Sequence, residues 1–269
     1  MTIKNITLKT HDARYLYISN PGKPVLIVLP GNLQEIESLA AFNERLSPHF
    51  DYYALELPGV GMTKPLHAYY TIAYLADCLK DFMHDQELDA VHLLACSYAT
   101  AIALEFTKDT SQVTRLAIVG GMSHIPQDLI GDTLSIMSDS LSGNRDIFAE
   151  RVIKLLTSDN DLIPRRRAIQ KAAKAKAKTY TDDQMWCFVS NSTRLMSYSP
   201  TNLENITCPT LCTTGEFDPY VTVKSCRALS ELMPHSQFTM IPGADHLCLL
   251  EKPKDTCDLI LNFLLNKNS

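Results

Sequence analysis

The stretch Val91-His92-Leu93-Leu94-Ala95-Cys96-Ser97-Tyr98-Ala99-Thr100-Ala101-Ile102-Ala103-Leu104-Glu105-Phe106 leaves this chain few ways to fold. It opens on an apolar run of strand length. It closes on helical spacing, with Ala99, Ile102, Ala103 and Phe106 on one face. Between the two there is no loop, only Cys96-Ser97-Tyr98. A strand that runs straight into a helix needs a very tight bend. Small residues two places either side let the backbones pass, and here they are Ala95 and Ala99.

Such a bend lifts the Ser97 hydroxyl above the end of the sheet. It also places Ser97 at a helix N-terminus, where free N–H groups and the helix dipole favour negative charge. That is the layout of a nucleophile elbow, written G-x-S-x-G, with alanine at both glycine positions. The same residues also suit a serine N-cap on a buried helix, so the rest of the chain must decide.

A chain of 269 residues can bury one large core. Hydrophobic content of 45% with 20% charged residues is globular, and a net charge of −5 argues against nucleic acid as the main partner. The stretch Met1 to Thr10 has no signal-peptide run, and no apolar run is long enough to span a bilayer. The cysteines at 78, 96, 187, 208, 212, 226, 248 and 257 fall mostly inside apolar runs. They read as reduced core residues of a cytoplasmic protein. Cys208 and Cys212 lack the spacing of a zinc site, so no metal is expected, and no cofactor either.

Ile3 to Leu8 and Arg14 to Ile18 alternate as a leading hairpin. Val25 to Leu29 is continuously apolar, as in a parallel strand buried on both faces. A helix follows, with Ile36, Leu39, Ala40 and Phe42 as inward candidates. Tyr52 to Leu57 is a strand, Ile72 to Met83 an amphipathic helix, and Leu116 to Gly121 the strand after the elbow. From about 123 to 199 no strand is evident. Helical patterns replace it at Leu129 to Leu141, Ile147 to Leu156, Arg165 to Lys178 and Asp182 to Met196. Thr181-Asp182-Asp183-Gln184 opens the last as a capping box. Strand patterns return at Thr210 to Thr214 and Phe238 to Ile241, and a helix over Asp255 to Leu265 closes the chain.

Strands alternating with helices predict a mostly parallel central sheet flanked by helices. Residues 1–122 and 200–269 form its core, and 123–199 a helical lid inserted after the sixth strand. Ligands bind such sheets at the carboxyl ends of the strands. Pro30-Gly31-Asn32, Ser97 and Gly120 all fall there. A serine hydroxyl needs a general base, and the base needs an orienting group. Asp218, after a late strand, and His246, after the last, supply those types at the same sheet end. Glu216 competes with Asp218. Asp245 adjoins the base but points away if His246 points inward. Cys96 and His92 read as strand residues, and the histidines at 11, 49, 67, 84, 124 and 235 carry no motif.

Over almost its whole length the chain resembles the α/β-hydrolase fold family. Pro30-Gly31-Asn32 resembles its His-Gly-x oxyanion loop, with Pro30 in place of histidine. Pro58-Gly59-Val60-Gly61-Met62-Thr63-Lys64-Pro65 resembles its Pro-Gly-x-Gly-x-Ser loop. Gly215-Glu216-Phe217-Asp218 and Gly243-Ala244-Asp245-His246 resemble its acid and histidine loops. The resemblance implies a serine hydrolase acting on a carboxylic ester or thioester. Its triad is Ser97, Asp218 and His246, and the backbone N–H groups of Asn32 and Tyr98 hold the oxyanion. An acyltransferase using 3-hydroxyacyl-carrier-protein or coenzyme A thioesters, or a homologue that binds without turnover, are the alternatives. Pro48-His49-Phe50-Asp51 and Met233-Pro234-His235-Ser236-Gln237-Phe238 are similar to stretches of the 3-hydroxyacyl transferases of that fold, which implies an acyl-thioester substrate.

Arg165, Arg166, Arg167, Lys171, Lys174, Lys176 and Lys178 have no acid among them. Arg167, Lys171, Lys174 and Lys178 share one helical face. That face is expected either to be solvated or to dock an anion, such as coenzyme A phosphates or an acyl carrier protein.

Overall fold

The computed structural model describes residues 2–266. Met1 and residues 267–269, which the expected core boundaries take in, lie outside the described residues. Eight strands form one sheet: β1 Ile3–Leu8, β2 His11–Ile18, β3 Val25–Leu29, β4 Asp51–Glu56, β5 Val91–Cys96, β6 Val113–Val119, β7 Thr210–Gly215 and β8 Ser236–Ile241. Their order is β1-β2-β4-β3-β5-β6-β7-β8. The leading hairpin joins β4 antiparallel, and every pairing from β4 to β8 is parallel. Parallel strands connected through helices present all their carboxyl ends on one side. Leu29 pairs with Ala95 and Cys96 with Val119, so the loops after β3, β5 and β6 leave the sheet side by side.

Helices α1 Ala40–Leu46, α2 Ile72–Asp85 and α3 Ala99–Thr107 lie between the early strands. Side chains on one side of the sheet, Ile27, Leu93 and Ile118 among them, pack with Leu79 of α2 and Ile102 of α3. Those on the other side, including Val28, Leu94 and Ala117, pack with Phe42 and Leu46 of α1. Ala40 departs from its expected inward position and is exposed. A 3-10 turn over Glu37–Leu39 precedes α1 and leaves Ala40 facing outward, while Ile36, Leu39 and Phe42 are buried as expected and Leu46 joins them. Helix α3 is buried all round apart from Glu105 rather than on one face, because it passes through the middle of the layer.

Four helices separate β6 from β7: α4 Gln127–Leu141, α5 Arg145–Leu156, α6 Arg166–Ala177 and α7 Asp182–Ser197. They have an apolar cluster of their own, centred on Phe148, Val152 and Phe188. Helix α7 begins with the reciprocal bonds of a capping box between Thr181 and Gln184. Helix α8 Val223–Ser230 joins β7 to β8. The short α9 Cys248–Glu251 and α10 Pro253–Leu264 complete the described fold.

Candidate active site

The bend between β5 and α3 falls on Ser97, whose φ is +49°. A residue with a Cβ pays strain there, about 1–3 kcal/mol, and keeps that conformation only when its surroundings enforce it. Here Ser97 N donates to Val119 O at 2.8 Å and Thr100 N donates to Ser97 O at 2.9 Å. Buried Ala95 and Ala99 leave room on both sides of the bend. Gly31 approaches it from β3. A Cβ on Gly31 would lie 3.0 Å from Cys96 O and 3.1 Å from Ser97 Cβ, so a side chain there would push the loop away.

Ser97 Oγ lies 3.0 Å from His246 Nε2, and His246 Nδ1 lies 2.8 Å from Asp218 Oδ2. The Asp218 carboxylate is fixed on all sides. Thr214 Oγ1 donates to Oδ2 at 2.7 Å, and Tyr220 N and Val221 N donate to Oδ1 at 2.9 and 2.7 Å. The edge of Tyr220 meets the His246 ring at 5.8 Å between centroids. Gly120, at φ +64°, passes under the imidazole, and a Cβ there would come within 3.1 Å of His246 Cε1. Burial pulls the His246 imidazole down. The Asp218 charge and its hydrogen bond outweigh that, and the net direction is above the ordinary histidine value.

The competing carboxylates are engaged elsewhere. Glu216 is exposed and accepts from Gly243 N at 3.0 Å. Asp245 points away from the imidazole, accepting from Ser158 N at 2.8 Å and Leu247 N at 2.9 Å. Asp245 N donates to Glu251 Oε2 at 2.8 Å, while Glu251 Oε1 is buried without a hydrogen-bond partner among the described residues. Burial pushes the Glu251 carboxyl up to about 7, the nearby Asp245 charge adding to it. Burial also raises Asp245, against the N–H bonds that favour its charged form.

The N–H groups of Asn32 and Tyr98 have no protein acceptor among the described residues. Both adjoin the bend, one on the loop from β3 and one directly after Ser97. A cavity of about 10 Å³, room for about one water-sized group, opens beside Ser97. Its walls include Tyr98, Gly120, Met122, Leu195 and Tyr220.

Helix α6 does not present a free basic face, because acids from neighbouring segments meet it. Lys174 pairs with Glu150 at 2.7 Å, Lys178 with Asp146 at 2.7 Å, and Lys176 with Glu35 at 3.0 Å. Arg166 holds Asp159 and Asp161. Arg167 and Lys171 are exposed, and Arg167 borders an open hollow of about 410 Å³ with Arg165 and Asp161. Two members of the proposed anion dock therefore already have counter-ions. Cys96 is buried at the end of β5. His92 bonds Thr114 Oγ1, and burial pushes its imidazole down to about 4.

Sequence reasoning missed Thr214 and Glu251, whose partners are close in sequence, and Asn191 and Arg194 of α7, which reach loops more than a hundred residues away. The run Ser190-Asn191-Ser192-Thr193-Arg194 was the available signal: five consecutive polar residues, more than a full turn, following the apolar Met185-Trp186-Cys187-Phe188-Val189. Among the described residues no group of three or more His, Cys, Asp or Glu side chains could hold a metal ion, and all eight cysteines are free. No described helix is long and apolar enough to cross a membrane.

A protein-family model described as alpha/beta hydrolase fold matches residues 24–253. The chain is 22% identical over 266 residues to 2-hydroxy-6-oxo-6-(2'-aminophenyl)hexa-2,4-dienoic acid hydrolase of Metapseudomonas resinovorans, covering 94% of this chain and 87% of that protein. It is 24% identical over 226 residues to pimeloyl-[acyl-carrier protein] methyl ester esterase of Vibrio vulnificus, covering 82% and 86%. Among solved structures it is similar to MGS-M2, an alpha/beta hydrolase enzyme from a Medee basin deep-sea metagenome library. The TM-score is 0.88 at 18% identity, with 97% of each chain covered.

Proposed function

The chain belongs to the α/β-hydrolase fold family and is an enzyme of that fold, and on that premise we propose that it hydrolyses a carboxylic ester or thioester through Ser97, His246 and Asp218. The observation that carries the reading is the unbroken relay from Ser97 Oγ to His246 Nε2 and from Nδ1 to Asp218.

Ser97 Oγ attacks the acyl carbonyl carbon, and its proton passes to His246 Nε2. The Nδ1–H already donates to Asp218, so the imidazolium forms beside a fixed negative charge. The carbonyl electrons move onto oxygen, which the N–H groups of Asn32 and Tyr98 receive. When the carbonyl re-forms, the leaving group departs with the proton from Nε2. Water then attacks the acyl-enzyme by the same steps, with His246 again as base, and releases the acid and Ser97. The residues 123–199 act as the lid over the carboxyl ends of the strands and decide what reaches the acyl-enzyme.

A carrier-bound acyl substrate, or acyl transfer from one, is the second reading. Its support is the similarity to an esterase named for an acyl-carrier-protein ester, together with exposed Arg167 and Lys171. A fluorophosphonate probe tests the serine chemistry. It should label Ser97, and Ser97→Ala should lose both labelling and turnover, apart from residual catalysis of about 10³–10⁴ over water from binding and the oxyanion hole. Near-normal turnover in that variant sinks the mechanism, and failure to label the wild-type protein favours a fold that binds without turnover.

A further inference from the structure

We propose that Asn191, on α7 of the insertion, is a positioning residue for the oxyanion hole; the inference rests on the serine-hydrolase reading of Ser97 and Asn32. Asn191 is 1% exposed. Its Nδ2 donates to Asn32 Oδ1 at 3.1 Å and to Gly59 O at 2.9 Å. Arg194, one turn further along α7, donates from Nη1 to Asn191 Oδ1 at 2.6 Å. A guanidinium can only donate, so the atom it meets must be the amide oxygen. That fixes the orientation of Asn191 and turns both of its N–H bonds toward Asn32 and Gly59.

Arg194 is itself 3% exposed and forms no ion pair among the described residues. Carbonyl oxygens hold it: Tyr70 O at 2.6 Å, His67 O at 2.9 Å, and Leu66 O. Burying a cation without a carboxylate is costly. A network whose members are all satisfied gives rigidity in return, and this one ends on Asn32.

The grip on that loop extends beyond Asn191. Asn32 Nδ2 reaches Phe188 O at 3.5 Å, and Tyr180 Oη donates to Leu33 O at 3.1 Å. Gln184 Nε2 donates to Glu35 Oε1 at 2.6 Å, and Lys176 pairs with the same carboxylate. The loop carrying one oxyanion donor is thus anchored on the insertion as well as on β3. An oxyanion donor must be held to within about 0.5 Å to be effective. Helix α7 therefore belongs to the catalytic frame, and the hole is complete only while α7 is seated.

Asn191→Asp is the informative substitution. It retains an acceptor for Arg194 and loses both N–H donations. It should lower kcat for a p-nitrophenyl ester about 10- to 100-fold, since losing a whole oxyanion donor costs about 10²–10³ and this loss is indirect. KM should change little. Affinity for a boronic acid that mimics the tetrahedral intermediate should fall by the same factor as kcat/KM. Asn32→Ala should give a similar loss, and the double variant should be no worse than the poorer single one. A lower Tm with unchanged kcat and boronate affinity overturns the proposal, as do losses that multiply in the double variant. If Asn191→Asp does not fold, Asn32→Ala alone carries the boronate test from the core side. A wild-type protein that is neither active nor labelled by fluorophosphonate overturns the serine-hydrolase reading and this inference with it. That outcome is distinct from a labelled, active enzyme indifferent to Asn191.

Discussion

Ser97 Oγ and His246 Nε2 lie 3.0 Å apart across 149 positions of chain. Their strands, β5 and β8, are not neighbours, with β6 and β7 between them. The contact closes because Ser97 rises on its bend while the loop after β8 returns over Gly120 toward it. Asp218, on the loop after β7, reaches the same imidazole from its other nitrogen.

Asp218→Asn should lower kcat by about 10⁴. Asparagine holds the imidazole in the wrong tautomer and does not stabilise its charged form. Glu216→Gln should leave kcat near the wild-type value, because that exposed carboxylate serves Gly243 N and not the base. Steady-state kinetics of the two variants on one ester decide the matter, and a larger loss in Glu216→Gln reassigns the acid.

The base must be neutral to accept the serine proton. Its pKa is raised above 6.5 by Asp218 against the opposing effect of burial. The acidic limb of kcat/KM should therefore lie above 6.5, with activity rising as pH increases through it. Removing the Asp218 charge should move the limb down. A pH profile of the residual activity of Asp218→Asn measures the direction, and an upward shift contradicts the assignment.

Glu251 bears on stability rather than on chemistry. Its folded value, about 7, is above the ordinary 4.5. The folded state thus favours the protonated carboxyl. The stability this gives is complete below pH 4.5 and is lost as pH rises through about 7. Glu251→Gln keeps an oxygen to accept from Asp245 N and has nothing to ionise. Between pH 4.5 and 7 its Tm should decline less than that of the wild-type protein. The difference should correspond to about 1–2 kcal/mol after screening by nearby solvent. Thermal melts at the two pH values check this, and parallel curves for the two proteins would remove the role from Glu251.

The fold and the relay were legible because each depends on short local signals. The continuous apolar run of β3, the strand-to-helix change at Ser97 and the glycines beside Asp218 and His246 mark their positions without knowledge of distant partners. Ala40 was misplaced because it stands where the 3-10 turn over Glu37–Leu39 hands over to α1, while Phe42, two residues on, keeps its expected inward position. Asn191 and Arg194 had only a polar run to mark them, and it does not name their partners. Their partners Asn32, Gly59 and Leu66 lie well over a hundred residues earlier, on loops whose course depends on the whole sheet. The charge on α6 was visible, but the acids that neutralise it belong to α5, to the loop before α6 and, for Lys176, to the loop after β3. A helical wheel of α6 alone does not contain them.

Those acids sharpen what remains of the docking question. Lys174 and Lys178 are bound to Glu150 and Asp146, so reversing either would set like charges together and disturb the α5–α6 contact whatever the substrate. Among the described residues Arg167 and Lys171 have no such partner, and they are the residues to change. If this part of the helix docks an acyl carrier protein or the phosphates of coenzyme A, Arg167→Glu with Lys171→Glu should raise KM for the thioester about three- to tenfold. Exposed charge contacts each contribute about 0.2–1 kcal/mol. A small uncharged ester has nothing to dock and should keep its KM. The thioester effect should fade as salt rises, because screening sets in beyond about 8–10 Å near physiological ionic strength. A solvated helix predicts the same small change for both substrates at every salt concentration. Paired kinetics on the two substrates at low and high salt separate the outcomes, and parallel behaviour would leave α6 a structural helix held to its neighbours by ion pairs.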